Sequence, residues 1–340
     1  MPSTTRVLLT LCLGLIGAMT ASAQPVVTIS SPTQLTKGNF TQLDPAISGD
    51  IVVYTDLRDG NEDVYYYDLS SGTETRVTFG SANQRLNDVS RSRIVSTDLS
   101  FPGPHIILYD IATGNTVSLT AGPSDMNPRI DGDIVVFERG TTGAVDIIAY
   151  DLGFRIETPV ATTAANELNP VVSGRRVVYQ RHSPREGSGE IVVFDLVTKV
   201  EAVLGDSALD DRRPDIDGNL VVWDFKTAAG DLDIAIHDLA TGITTVLTLA
   251  GNQRAAHVSG RVVVFDDDGS GTSDVWMYHI DSGQRILIGS GPGAEFLNDF
   301  SGGQVVYTSN AAGNFDIWLV EFEILSIDPA TGLEFGSVDV

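Results

Sequence analysis

The sequence predicts an all-β ring of seven four-stranded antiparallel sheets, and three observations predict it. A Ser-Gly or Asp-Gly turn followed by an apolar run recurs along the chain, with the turn position at Gly49, Arg91, Gly132, Gly174, Gly218, Gly260 and Gly302. The gaps are 42, 41, 42, 44, 42 and 42 residues. Each unit holds several short β-branched or aromatic runs separated by polar turns. The front of the chain carries one further strand-like phrase with no unit of its own. A period of this size, with four strands per unit, is the signature of a β-propeller.

The first 23 residues stand outside that repeat. Arg6 gives a positive start, Val7 to Met19 is apolar but short, and Ala21-Ser22-Ala23 fits the small-residue pattern of a signal-peptide cleavage site. Residues 1–23 are therefore expected to be a signal peptide, with the mature chain starting at Gln24 and the product periplasmic, extracellular or at the cell surface. The only cysteine, Cys12, lies in this leader behind Leu11, where a lipoprotein box takes a small residue. A Cys-free mature chain excludes disulfides, thiolate catalysis and cysteine-based zinc sites.

The first full repeat shows how a unit folds. Asp44-Pro45-Ala46-Ile47 leads to the turn at Ser48-Gly49-Asp50, and Ile51-Val52-Val53-Tyr54 reads as a buried strand. A polar loop, residues 55–62, precedes Asp63-Val64-Tyr65-Tyr66-Tyr67. Asp68-Leu69-Ser70-Ser71-Gly72 then makes a tight turn, in which the Asp bonds backbone two residues on and the Gly takes positive φ without steric cost. Residues 73–78 form the fourth strand. The second-strand aromatic recurs as Phe137, Tyr179, Trp223, Phe265 and Tyr307, with Ser96 the exception. The third strand opens with Asp63, His105, Asp146, Glu190, Asp233, Asp274 and Asp316, and the turn after it with Asp68, Asp110, Asp151, Asp195, Asp238, His279 and Glu321. Recurrence in every unit marks these residues as structural.

The seventh unit lacks a fourth strand after Phe322. Residues 31–36, with Pro32-Thr33-Gln34-Leu35-Thr36, mirror Thr75-Arg76-Val77-Thr78, and Thr36 precedes Gly49 by the same 13 residues that separate Thr78 from Arg91. This segment is expected to complete the last sheet and close the ring, removing an exposed edge. The propeller is thus placed at residues 24–323.

Asp56-Leu57-Arg58-Asp59-Gly60-Asn61-Glu62-Asp63-Val64-Tyr65 resembles the middle stretch of TolB-like (WD40-like) propeller repeats, and the likeness fades to Asn314-Phe315-Asp316-Ile317-Trp318 in the last unit. The resemblance spans residues 31–322 and implies the fold. TolB itself resembles a six-bladed ring behind an α/β domain, for which this chain has no room. Prolyl-oligopeptidase propellers are similar in texture, yet their hydrolase domain has no counterpart here. Residues 324–340, from Leu325-Ser326-Ile327-Asp328-Pro329 onward, resemble the opening strand of bacterial Ig-like domains.

Composition narrows the function. The chain has 21 basic and 45 acidic residues, and without Arg6 the balance is 20 against 45, a formal charge of −25. Such a surface repels nucleic-acid phosphates and anionic lipid heads. It favours cations or a basic protein partner. The expected product is a monomer that binds neither nucleic acid nor inserts into membrane.

The inter-blade connections and second-to-third strand loops share one face, and the variable lengths are confined to it. Compare residues 55–62 with 180–189, which carry Arg181, His182, Arg185 and Glu186, and with 266–273. Function collects on such loops over a rigid frame. On the same side the residue two before each turn's Ser or Asp faces the channel: Ala46, Asp88, Arg129, Val171, Asp215, His257 and Asp299. One reading is a solvated mouth whose charges pair. The other is a ligand site of Asp88, Arg129, Asp215, His257 and Asp299, with a divalent cation held by the four of these other than Arg129. No cofactor is otherwise expected. Asp266-Asp267-Asp268-Gly269 is not an EF-hand, because Met277 stands where its Glu belongs. No Gly-x-Ser-x-Gly, His-Glu-x-x-His or P-loop motif occurs, and His105, His182, His237, His257 and His279 are scattered over different units. The expected function is a non-enzymatic binding module taking a protein or glycan on its loop face. The alternative is a metal-dependent polysaccharide lyase or hydrolase using the channel, and a third is a surface spacer.

Overall fold

The computed structural model describes residues 25–122, 124–141, 144–182, 189–205 and 210–325. The leader expected at 1–23 and all but the first two residues of the tail expected at 324–340 lie outside them. The described residues form seven antiparallel sheets and no helix. Blade 1 contains strands β3 (Gln42–Ser48), β4 (Ile51–Asp56), β5 (Asp63–Asp68) and β6 (Thr73–Arg76), after β1 (Val26–Ile29) and β2 (Thr33–Gln34). Blades 2 to 6 repeat the four-strand order, at residues 84–118, 125–161, 166–203, 212–247 and 253–289. Blade 7 begins at Glu295 and ends in a ten-residue third strand, Asp316–Leu325. Each first strand packs on that of the next blade, and the seventh on β3, so the ring is closed.

Closure uses more of the amino end than the sequence suggested. β2 pairs Thr33 with Leu319 and Gln34 with Trp318, inside the expected segment. β1 also pairs with the last strand, Val26 opposite Leu325 through Ile29 opposite Phe322. From Ile29 to Thr33 the chain advances four residues while its partner advances three, and Pro32 sits in that break. Proline has no N–H to give the ladder, so the two strands are one strand interrupted by a bulge. The third strand accordingly runs to Leu325, past the expected boundary at 323. Thr36 behaves as the spacing implied. Its Oγ1 accepts from Ile317 N at 2.8 Å, as Thr78 accepts from Val64 N at 2.9 Å and Thr120 from Ile106 N at 3.0 Å.

The core is seven layers, one between each pair of neighbouring blades. At the closing junction Ile47, Val52, Tyr54 and Tyr65 of blade 1 meet Val306, Ile317 and Leu319 of blade 7. The second-strand aromatics Tyr54, Phe137, Tyr179 and Phe265 have no exposed surface, and Trp223 and Tyr307 almost none. The turn aspartates do what their recurrence implied. The Oδ1 of Asp68 accepts from Ser70 N, that of Asp151 from Gly153 N and that of Asp195 from Val197 N.

The Ser-Gly and Asp-Gly turns carry a second role that the sequence did not disclose. At all but the closing junction the turn's Ser or Asp side chain reaches across to the next blade and accepts the backbone N–H of its turn. Ser48 takes Arg91 N at 3.0 Å, Ser90 takes Gly132 N at 3.0 Å, Asp131 takes Gly174 N at 2.6 Å, and Ser173 takes Gly218 N at 3.0 Å. Asp217 with Gly260 N and Ser259 with Gly302 N continue the series, making six of seven junctions.

Candidate functional site

Every first strand carries a register shift near its start. In six blades the residue there is left-handed without being glycine: Asp44, Leu86, Asn127, Asn169, Arg213 and Ala255, with φ between 46° and 54°. Pro45, Pro128, Pro170 and Pro214 follow four of them. A bulge is one of the few places inside a sheet that tolerates proline, and it bends the strand so that the residue two positions after the left-handed one lines the axis. Those residues are Ala46, Asp88, Arg129, Val171, Asp215 and His257, and with Asp299 of blade 7 they line a funnel of about 300 Å³ on the loop face. The five residues singled out from the sequence are thus gathered in one cavity. Asp44 and Arg213, which line it too, were missed; the signal for both was an x-Pro pair ahead of the channel residue.

Three of the channel carboxylates hold neighbouring blades together. Asp88 Oδ2 accepts from Ile130 N of the next blade at 2.7 Å, Asp215 Oδ2 from Val258 N at 2.8 Å, and Asp299 Oδ2 from Ile47 N at 2.7 Å across the closing junction. The other oxygens of Asp88 and Asp299 accept from Val89 N and Phe300 N. His257 lies between two of these acids, its Nδ1 3.6 Å from Asp215 and 3.7 Å from Asp299. Arg129 donates to Asn87 O at 3.4 Å. Burial pushes the Asp88 carboxyl up to about 7, with Arg129 opposing the rise and Asp299 adding to it. Burial also raises Asp299, against the pull of His257, and raises Asp44.

The remaining histidines lie elsewhere. His237 and His279 sit in third strands with Nδ1 within 2.8 Å of Thr244 and Ser282 hydroxyls. His105 opens the third strand of blade 2, and His182 ends the second strand of blade 4. Of the five, His257 alone lines the funnel. Among the described residues, no group of three or more His, Cys, Asp or Glu side chains is placed to hold a metal ion.

In the loop carrying Arg181, His182, Arg185 and Glu186, the last two lie outside the described residues. Arg181 is clamped by Glu201 at 2.7 Å, Glu190 at 3.3 Å and buried Glu167 at 3.6 Å, over the Tyr179 ring. Arg58 and Arg139 repeat this, pairing with buried Asp56 and Asp125 and with Glu74 and Glu157 of their outer strands. These arginines neutralise carboxylates that would otherwise be costly to bury. The loop face also exposes three phenylalanines, one of them, Phe79, beneath the Arg76 guanidinium. Phe40 is 52% exposed, Phe79 74% and Phe101 96%, on two inter-blade connections and one second-to-third strand loop.

No protein-family model matches the chain, and no curated protein matches it. Solved structures do. An oligogalacturonate lyase in complex with manganese superposes with a TM-score of 0.65 at 12% identity, covering 88% of this chain and 98% of that one. An acylaminoacyl peptidase from Pyrococcus horikoshii gives 0.63 at 12% identity, covering 84% of this chain and 51% of that one. TolB from Acinetobacter baumannii gives 0.49 at 20% identity, covering 65% and 57%. At 12% identity the first two likenesses are ones of fold, and the fold of this chain is the seven-bladed β-propeller.

Proposed function

We propose that this chain is an exported, non-enzymatic binding module that engages a protein or glycan partner through the face bearing the inter-blade connections and second-to-third strand loops. The observation that carries this reading is how the polar groups are spent. The channel carboxylates already accept backbone N–H groups that tie blades together, while Phe40, Phe79 and Phe101 are left largely in water on the loop face. A rigid ring that exposes isolated aromatics offers rigid contact area at little entropic cost to a partner. The test is a pull-down from the native envelope with the mature protein. Phe79→Ser with Phe101→Ser should remove the partner and His257→Ala should leave it bound; the reverse pattern would move the site into the channel.

The alternative, a metal-dependent polysaccharide lyase or hydrolase, draws support from His257 lying between Asp215 and Asp299 and from a superposed lyase described with manganese. The donor set does not fit a metal well. The Asp215 and Asp299 oxygens nearest the next blade are engaged by backbone N–H groups, and His257 supplies one imidazole. Calorimetry with manganese or calcium decides: heat that vanishes in Asp215→Ala would revive this reading.

A further inference from the structure

The repeats act as internal controls for one another, and on the outer rim they disagree in one place. The turn before each fourth strand has the same geometry in blades 1 to 6. Its fifth residue is left-handed, and that residue's N–H donates to the carbonyl of the residue opening the turn. Four blades put glycine there: Gly72, Gly114, Gly242 and Gly283. Blades 3 and 4 put Arg155 (φ 58°) and Lys199 (φ 59°). A side chain in this conformation is strained, so the two neighbouring exceptions impose a cost that the four glycines avoid. Both residues are exposed, and among the described residues neither has an ion-pair partner. The nearby acids are occupied, Asp151 by Arg175 at 2.8 Å and Glu157 by Arg139 at 2.6 Å.

The next position, which opens the outer strand in most blades and directly precedes it in blade 4, breaks the pattern in the same part of the ring. Blades 1, 2 and 6 have Thr73, Asn115 and Gln284. Blades 3, 4 and 5 have Ile156 (58% exposed), Val200 (62%) and Ile243 (63%). Beside them stand Phe154 at 74% and Val197 at 71%. The fourth strand of blade 5, Ile243–Leu247, is an edge strand with neither charge nor proline, the usual guards against pairing with another chain. Exposed apolar side chains on three neighbouring blades, beside two cations with no ion-pair partner among the described residues, set this stretch of the rim apart on a chain of net charge −24.

We infer that the outer rim of blades 3 to 5 is a second docking surface, for a protein segment that presents acidic and apolar side chains in extended form. Charge complementarity selects the occupant: Arg155 and Lys199 meet its carboxylates, Ile156, Val200 and Ile243 its apolar side chains, and the free edge of blade 5 its backbone. The surface lies away from the loop face, so the ring can hold two partners at once, whatever binds at the loops.

The test uses a labelled model peptide of alternating valine and glutamate, with its valine-lysine counterpart as control. The mature protein should bind the first and not the second. Arg155→Gly with Lys199→Gly should weaken binding about tenfold or more while raising the melting temperature, a pairing of effects that a merely structural role would not give. Phe154→Ser with Val197→Ser should weaken binding without that rise. Equal affinity of the glycine variant and the parent overturns the proposal. So does binding to phosphatidylglycerol vesicles without binding to the peptide, which would make the surface a membrane contact. Self-association lost in the same variants would make the occupant a second copy and would overturn it equally.

Discussion

The inner wall and the outer rim of this ring are built from the same repeat and obey different rules. Inner strands touch their counterparts on both sides, and side chains such as Ser90 and Asp299 pass hydrogen bonds from blade to blade. Outer strands pair with one neighbour in their own blade and face water over their first residues, with only their ends, such as Val160, Ala161 and Ile288, reaching the inter-blade core. A substitution on the inner wall is therefore felt at two junctions, while one at the exposed start of an outer strand is felt at none. That is why the rim can vary, and why variation confined to three consecutive blades there is informative. Blade 7 is the exception that tests the contrast, because its outer strand is supplied by the other end of the chain.

Removing that strand should have the largest effect. Deleting residues 25–36 strips the last strand of its outer pairing between Trp318 and Leu325, removes Val27 and Leu35 from the core they pack against, and leaves Ile317 N without the Thr36 hydroxyl. Two half-buried apolar side chains and several ladder bonds come to about 3 kcal/mol or more, a fall of roughly 6–10 °C in melting temperature. A comparable deletion of an ordinary outer strand such as β6 would leave the ring covalently continuous and cost less. Equal losses for the two would erase the distinction between blade 7 and the rest.

The inner wall should show itself through pH. Burial pushes the Asp88 carboxyl up to about 7 in the folded protein, against about 4 for an ordinary aspartate. Between those values the native state keeps a proton that the unfolded chain has released. Stability from this group is therefore greatest at the acid end and falls as pH rises from about 4 through about 7. Asp266, also pushed up to about 7 by burial, adds a contribution of the same sign. Asp88→Asn keeps an acceptor for Ile130 N and removes the titration, so its melting temperature should decline less between pH 5 and pH 8. A variant curve parallel to the parent's would mean the carboxylate is ionised throughout.

The same contrast explains what could be read from the sequence. Period, strand order, second-strand aromatics and turn aspartates were legible because each is solved within one blade and repeated by all. The closing strand was legible from its spacing, though β1 was not, since Pro32 broke the pattern ahead of it. The funnel residues were legible as a ring of positions, whereas their hydrogen bonds were not. Asp88, Asp215 and Asp299 appear in the sequence as irregular acids among Ala46, Arg129, Val171 and His257. Their common task is visible only when blade n+1 stands beside blade n. The clamps formed by Arg58, Arg139 and Arg181 escaped because each gathers side chains from strands that stand side by side only once the blade has folded, Arg139 with Asp125 14 positions away and Arg181 with Glu201 20 away.

The smallest expected effect falls on the rim and separates strain from packing. Arg155→Gly and Gly242→Lys are opposite exchanges at equivalent turn positions, each with the same backbone bond to its turn's opening residue. An added Cβ at Gly242 meets open space, so the second exchange costs only the left-handed conformation, about 1 kcal/mol. The first should return a similar amount. Melting temperatures should therefore move about 2 °C down for Gly242→Lys and about 2 °C up for Arg155→Gly. If Arg155→Gly were instead destabilising, the arginine would be held by contacts within the fold. The departure of blades 3 and 4 from the glycine pattern would then be a matter of stability, and the rim would lose its claim to be a surface maintained for something outside the molecule.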